Sequence, residues 1–236
     1  MTKRYIPFLM IVATLISSCS TEDNDVLNTE VEGVNKSLIQ SQKISRDANG
    51  KYTVDYTLAK NAQANLDKDS NIDVTTLNVF ETKNDVVNRN TNNSAELDLK
   101  NDKLELQVVE NGEERRSITV EDENVILAKG EVSTEFLQSY SVESFGDGQF
   151  VLDFTVRDGV QVDFSYDENT NIYEVHLKEG KANGNKFTKL YKKSETLPLK
   201  IDFVNYIKIE TIQSRSLEVS TISYARSTTK PRIGWE

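Results

Sequence analysis

Apolar and polar residues alternate with a period of two over most of this chain, as strands burying one face require. Tyr52, Val54, Tyr56 and Leu58 form the first clear stripe, and a denser apolar stretch runs from Val74 to Phe80. Leu97-Asp98-Leu99 and the run from Leu104 to Val108 flank Asn101-Asp102. A turn at those two residues lets Leu99 face Leu104, with both apolar sets on one side. In FVLDFTVRDGVQVDFSY, Phe150, Leu152, Phe154 and Val156 share one face, and Val160, Val162, Phe164 and Tyr166 share another. A two-residue Asp-Gly turn would set Phe154 against Asp163 and bring charge to the core side. A three-residue loop of Arg157, Asp158 and Gly159 instead pairs Val156 with Val160 and Leu152 with Phe164, with Gly159 left-handed in a bulge. The next strand, Tyr173-Glu174-Val175-His176-Leu177, extends the meander. Pairing Tyr166 with Tyr173 and Phe164 with Val175 leaves the loop Glu168 to Asn171.

Further alternation marks Phe187 to Tyr191, Leu199 to Ile209 and Leu217 to Tyr224. The stretch from Asn84 to Ala95 reads as an asparagine-rich loop, too polar to pack. Helical signals reduce to Thr134-Glu135-Phe136-Leu137, a short turn behind a Ser133 cap. No internal repeat of fixed period and no heptad pattern is visible. The expectation is an all-β body over residues 36–236, an antiparallel sandwich or barrel-like meander of about twelve strands. A second reading divides that body into two domains near 129–131.

The amino-terminal residues break this pattern. Lys3 and Arg4 precede an apolar segment, Ile6 to Ile16, followed by the small residues Ser17 and Ser18, the layout of a secretory signal. The segment is shorter than the roughly 20 residues that span a bilayer as a helix. Cys19, the single cysteine of the chain, follows at once. Leu15-Ile16-Ser17-Ser18-Cys19 resembles the lipobox of bacterial lipoproteins, with Ile16 where leucine is commonest. That resemblance implies a signal peptide over 1–18 and a Cys19 acylated on sulfur and, after cleavage, on nitrogen. Because one acyl chain binds a membrane only marginally, at about 0.8 kcal/mol per buried methylene, stable anchoring takes two or more. Residues 19–35 then form a tether. Its start, with Glu22, Asp23 and Asp25, resembles the acidic export signal of surface lipoproteins of Bacteroidota, implying an outer-membrane protein facing outward; a purely solvated tether is the alternative.

Charge narrows the functions open to the body. Without residues 1–18, 26 basic residues (28 less Lys3 and Arg4) oppose 38 acidic ones, a formal charge of −12. A surface that acidic disfavours nucleic acid and anionic lipid, which leaves membrane attachment to the acyl chains. With Cys19 acylated, no disulfide and no cysteine metal site is expected.

Candidate chemistry is sparse. His176 is the only histidine and is expected to be an exposed strand residue beside Glu174 and Lys178, pointing away from Tyr173, Val175 and Leu177. No G-x-S-x-G elbow accompanies it. Paired carboxylates suffice for glycoside hydrolysis, but strand acids such as Asp153 and Asp163 are expected to face solvent. Asp67, Asp69, Asn71 and Asp73 have the oxygen spacing of a calcium loop, yet Ile72 and Asn78 stand where an EF-hand has its glycine and glutamate. A polar turn is the plainer reading, and no cofactor is expected. Trp235, next to last, is either frayed or part of a ligand face. The function expected is a non-enzymatic binding or accessory lipoprotein, for glycans or for an outer-membrane partner protein. In layout alone it resembles accessory lipoproteins of Bacteroidota polysaccharide-uptake systems. A lipid-anchored carboxylate-dependent glycosidase and a purely structural envelope protein are the alternatives. Glycan binding calls for a strip of exposed aromatic rings; hydrolysis calls for a cleft with two close carboxylates.

Overall fold

The computed structural model describes residues 37–69, 73–82, 91–122, 136–145, 148–193, 197–212 and 220–236. Among them the alternating stripes become fourteen strands, with no helix. The first seven are β1 (Ile39–Arg46), β2 (Tyr52–Leu58), β3 (Ala62–Asp69), β4 (Val74–Glu81), β5 (Asn92–Leu97), β6 (Lys103–Glu110) and β7 (Glu113–Glu121). The second seven are β8 (Leu137–Phe145), β9 (Gln149–Val156), β10 (Val160–Asp167), β11 (Ile172–Glu179), β12 (Lys186–Lys192), β13 (Leu199–Ile212) and β14 (Ser220–Trp235). They form two sheets, β12-β9-β8-β1-β2-β5 and β10-β11-β13-β14-β7-β6-β4-β3, which do not close into a barrel. The architecture is a sandwich. Ile44, Val54 and Leu152 from the first sheet and Leu106, Ile118 and Phe203 from the second lie fully buried in one core. Each such side chain contributes about 1.5–3 kcal/mol by leaving water.

The hairpin expected at Arg157–Gly159 does not form, because β9 and β10 belong to opposite sheets. Gly159 does take a left-handed conformation, φ +78°, where a Cβ is poorly tolerated. The expected apolar faces are nevertheless correct. A strand pair with matched inward faces can lie side by side in one sheet or face to face across a core, and alternation alone does not separate these. The turn at Asn101-Asp102 behaves likewise. It forms, with φ of 49° and 60° and a bridge from Lys100 to Lys103, but β5 and β6 then diverge into different sheets. The β10–β11 register, by contrast, is the expected one, with Tyr166 opposite Tyr173 and Phe164 opposite Val175.

Three further expectations are corrected. Leu137 opens β8 instead of closing a helical turn; Thr134 and Glu135 lie outside the described residues. Asn92 to Ala95 are strand, because β5 is an edge that buries one side only, against β2. The second sheet is mixed: β4 pairs β6, and β11 pairs β13, in parallel. Parallel neighbours need a crossover, and β5 and β12 supply it by running through the other sheet.

The structure also contains the repeat that was not visible in the sequence. Both seven-strand halves follow one path: a hairpin in the first sheet, a hairpin in the second, an edge strand in the first, a final hairpin in the second. β3 and β10 start 98 positions apart (160 − 62), as do β4 and β11 (172 − 74). Later counterparts are fixed by register. Thr75 pairs with Leu106 as Tyr173 pairs with Ile201, so Leu104-Glu105-Leu106-Gln107-Val108 answers to Leu199-Lys200-Ile201-Asp202-Phe203. The halves join twice, antiparallel, about a pseudo-twofold axis: β1 to β8 centred on Ile44 and Val142, and β7 to β14 centred on Thr119 and Gly234. At the second crossing a Cβ on Gly234 would lie 2.6 Å from Thr119 Oγ1, so the axis has room for one side chain. The division considered near 129–131 falls between β7 and β8, outside the described residues.

Candidate ligand-binding groove

At one side of the sandwich the edge strands β10 and β12 of opposite sheets leave a groove of about 370 Å³ between them. The register that pairs Tyr166 with Tyr173 sets their rings 4.6 Å apart, and Tyr191 from β12 continues the run, 4.6 Å beyond Tyr173. Phe164 and Tyr166 are partly exposed, at 39% and 45%, whereas Tyr191 is buried beneath them. Burial pushes the Tyr191 phenol well above its usual range, so it stays protonated and able to donate. The Tyr166 hydroxyl donates to Asn171 Oδ1 at 2.6 Å, which orients the outermost ring. Lys189 reaches over the Phe164 ring, its Nζ 5.1 Å from the centroid.

Edge strands add backbone polar groups. The Asn183 side chain accepts from Val162 N and donates to Val162 O, so the outward-facing amides of β10 are those in phase with Val162. Phe164 and Tyr166 share that phase and aim their N–H and C=O groups at the groove. Aromatic faces and edge amides together suit a ligand with an apolar face and a polar rim.

The other half is built differently at the matching place. Its counterpart edges are β3 and β5, where Lys68 stands for Tyr166 and Asp98 for Lys192, and these two join at 2.8 Å.

His176 lies on the outer face of the eight-stranded sheet, opposite the buried Val175 and Leu177, as expected. It is less exposed than expected, at 19% for the side chain. Ser165 Oγ approaches its Nε2 at 2.7 Å, and the Tyr206 hydroxyl lies 2.9 Å from Nδ1. A serine–histidine contact is thus present. In a hydrolytic triad a carboxylate occupies the Nδ1 side; here Glu174 lies 3.4 Å from Nε2 and is drawn toward Arg226 at 3.1 Å. The geometry is that of a surface hydrogen-bond network.

The remaining candidates separate. Asp153 and Asp163 face solvent as expected, Asp163 paired with Lys178 at 2.9 Å. Trp235 is neither frayed nor on a ligand face: only 2% exposed, it packs edge-on against Phe150 at 5.2 Å, because β14 is held between β13 and β7. Asp67 and Asp69 lie on β3, Asp73 pairs with Lys100 at 2.7 Å, and Asn71 lies outside the described residues. No cluster of three metal-ligating side chains occurs among the described residues. Cys19, Glu22, Asp23 and Asp25 also lie outside them. Sequence reasoning placed Phe164, Tyr166 and Tyr173 on strand faces without gathering them into a site. The available signal was the crowding of Phe164 and Tyr166, with Phe187 and Tyr191, onto what proved to be edge strands, and of Tyr173 onto the strand beside one of them. Comparison with protein-family models, with curated proteins and with solved structures gave no match to this chain.

Proposed function

We propose that this chain is an outer-membrane lipoprotein anchored through acyl chains on Cys19, routed outward by Glu22, Asp23 and Asp25, whose folded body binds glycan without turning it over. The carrying observation is the run of tyrosine rings between β10 and β12. A sugar ring offers a face of C–H groups that stacks on the electron-rich face of an aromatic ring, and its hydroxyls need donors and acceptors at the rim. The edge amides and phenols meet the second need. Glycoside hydrolysis by carboxylates needs two of them flanking the bond. Among the described residues, those lining this groove supply none.

Affinity electrophoresis of the protein through gels containing single polysaccharides tests the binding. Tyr166→Ala with Tyr173→Ala should weaken retention by about tenfold, the equivalent of 1.4 kcal/mol, with a circular-dichroism spectrum unchanged. Retention that survives the double substitution would remove the groove from the function. Oligosaccharides released during the same incubations would replace binding by hydrolysis. The anchor is tested separately: Cys19→Ala should abolish incorporation of labelled palmitate.

A further inference from the structure

We infer that the β10–β12 groove selects polyanionic glycans, chains whose sugars carry carboxylate or sulfate groups. The inference rests on the glycan reading above and adds the charge of the ligand. Lys189 and Lys192 both line the groove and are exposed. One projects over the Phe164 ring; the other, on the opposite face of β12, flanks the opening.

Three described acids on β10 and β11 are committed elsewhere. Asp167, next to Tyr166, accepts from Asn169 N at 2.9 Å and Thr170 Oγ1 at 2.8 Å, turning its carboxylate into its own loop. Asp163 pairs with Lys178 on the outer face. Glu174 is held by Arg226 on that same face.

The duplicated half shows which residues stand at the matching edge. Leu152 pairs with Lys189 where Val54 pairs with Ala95, and Lys192 follows Tyr191 where Asp98 follows Leu97. One half pairs its edge lysine with an acid, Lys68 with Asp98; the other presents two cations beside a row of rings. The whole chain has a formal charge of −10, so a polyanion is repelled by most of this surface and drawn to a place where two exposed cations stand beside a stacking platform. Long-range repulsion also penalises misplaced binding, which sharpens selection.

The test uses the lipidated protein from Cys19 onward in detergent with three probes: alginate as a polyuronate, carrageenan as a sulfated chain, and laminarin as a neutral one. Isothermal titration should show alginate, carrageenan or both bound about tenfold or more tighter than laminarin, since hydrogen bonds to charged groups are the stronger ones. The difference should close in about 0.5 M salt, where exposed charges are screened. Lys189→Gln with Lys192→Gln should remove the tenfold preference by weakening polyanion binding, with the melting temperature unchanged. Laminarin bound as tightly as either polyanion, or a polyanion preference indifferent to the double substitution, overturns the charge selection and leaves the glycan reading standing. Retention of none of the three probes overturns both.

Discussion

Lys68 and Asp98 form an ion pair at one edge of the sandwich, while the matching places at the opposite edge hold Tyr166 and Lys192, which line a groove. The interior shows a comparable divergence. Arg46 Nε lies 2.8 Å from Asp122 Oδ2, which also accepts from the Tyr52 hydroxyl at 2.6 Å, and the Tyr140 hydroxyl donates to Tyr52 at 3.2 Å. Across the pseudo-twofold axis Arg46 becomes Ser144, Tyr52 becomes Phe150 and Tyr140 becomes Gln42. Gln42 is fully buried, and neither of its amide atoms has a hydrogen-bond partner. Its counterpart finds a hydroxyl on Tyr52, whereas symmetry sets Phe150 in that place for Gln42. The comparison teaches that the path of the strands tolerates wide exchange at matched positions, polar for apolar included, while most of the inward stripes stay apolar. Polar groups could then specialise one half at a time.

The sharpest way to break this comparison is through the buried ion pair. Asp122→Ala leaves Arg46 without that carboxylate in the core and should cost about 3–5 kcal/mol of unfolding free energy, read from chemical denaturation. A loss under about 1 kcal/mol would mean that the polar side of the core is energetically no different from its apolar counterpart. Gln42 makes the opposite prediction. Gln42→Leu removes two unpartnered polar atoms and should stabilise the protein by about 1–2 kcal/mol. Destabilisation would show that the amide is satisfied in solution, for example by a trapped water.

The smallest effect concerns the loop between β1 and β2. Asp47 accepts from Asn49 N at 2.9 Å and Lys51 N at 2.8 Å, and the backbone bond from Lys51 is the main reason its carboxyl sits below the usual range. Its counterpart is Phe145, which has no oxygen to offer. A lowered folded-state pKa contributes stability above the unfolded value, near pH 4, and that contribution fades as pH falls through the folded value. Asp47→Ala should therefore cost less than about 1 kcal/mol at pH 7, given its exposure, and progressively less in acid. A cost that does not change with pH would assign the effect to loop geometry instead of charge.

Much of this fold could be read from alternation. The stripes Tyr52 to Leu58, Phe150 to Val156 and Val160 to Val162 are buried as their phase requires, and the β10–β11 register follows from matched faces and a short loop. Sheet membership could not be read, because inward stripes fit a hairpin and an arch between sheets equally well. Asn111-Gly112, with φ of 53° and 85° between β6 and β7, is a hairpin turn of the kind that an Asn-Gly dipeptide between alternating stripes signals. The duplication escaped notice for a physical reason. Gln40 and Gln138, Gly50 and Gly148, and Asp55 and Asp153 keep their spacing, but the stripe positions exchanged Ile44 for Val142, Tyr52 for Phe150 and Val54 for Leu152. A core selects for apolar volume more than for identity. The groove was legible only as aromatic residues; that they meet at an edge depends on the topology.

The two self-matching seams, at Ile44 with Val142 and at Thr119 with Gly234, bear on how this molecule assembles in company. The edges of β1 and β7 fit β8 and β14 of the same chain, so they fit those of a neighbouring chain with the same hydrogen bonds. Exchange between molecules creates no new contact and destroys none. What favours the closed monomer is the high effective concentration of one half around the other. Crowding of half-folded chains erodes that advantage, and anchoring them in a membrane would confine them to two dimensions. For such a protein the hazard in folding is a kinetic race between its own second half and its neighbour's, and it grows with surface density.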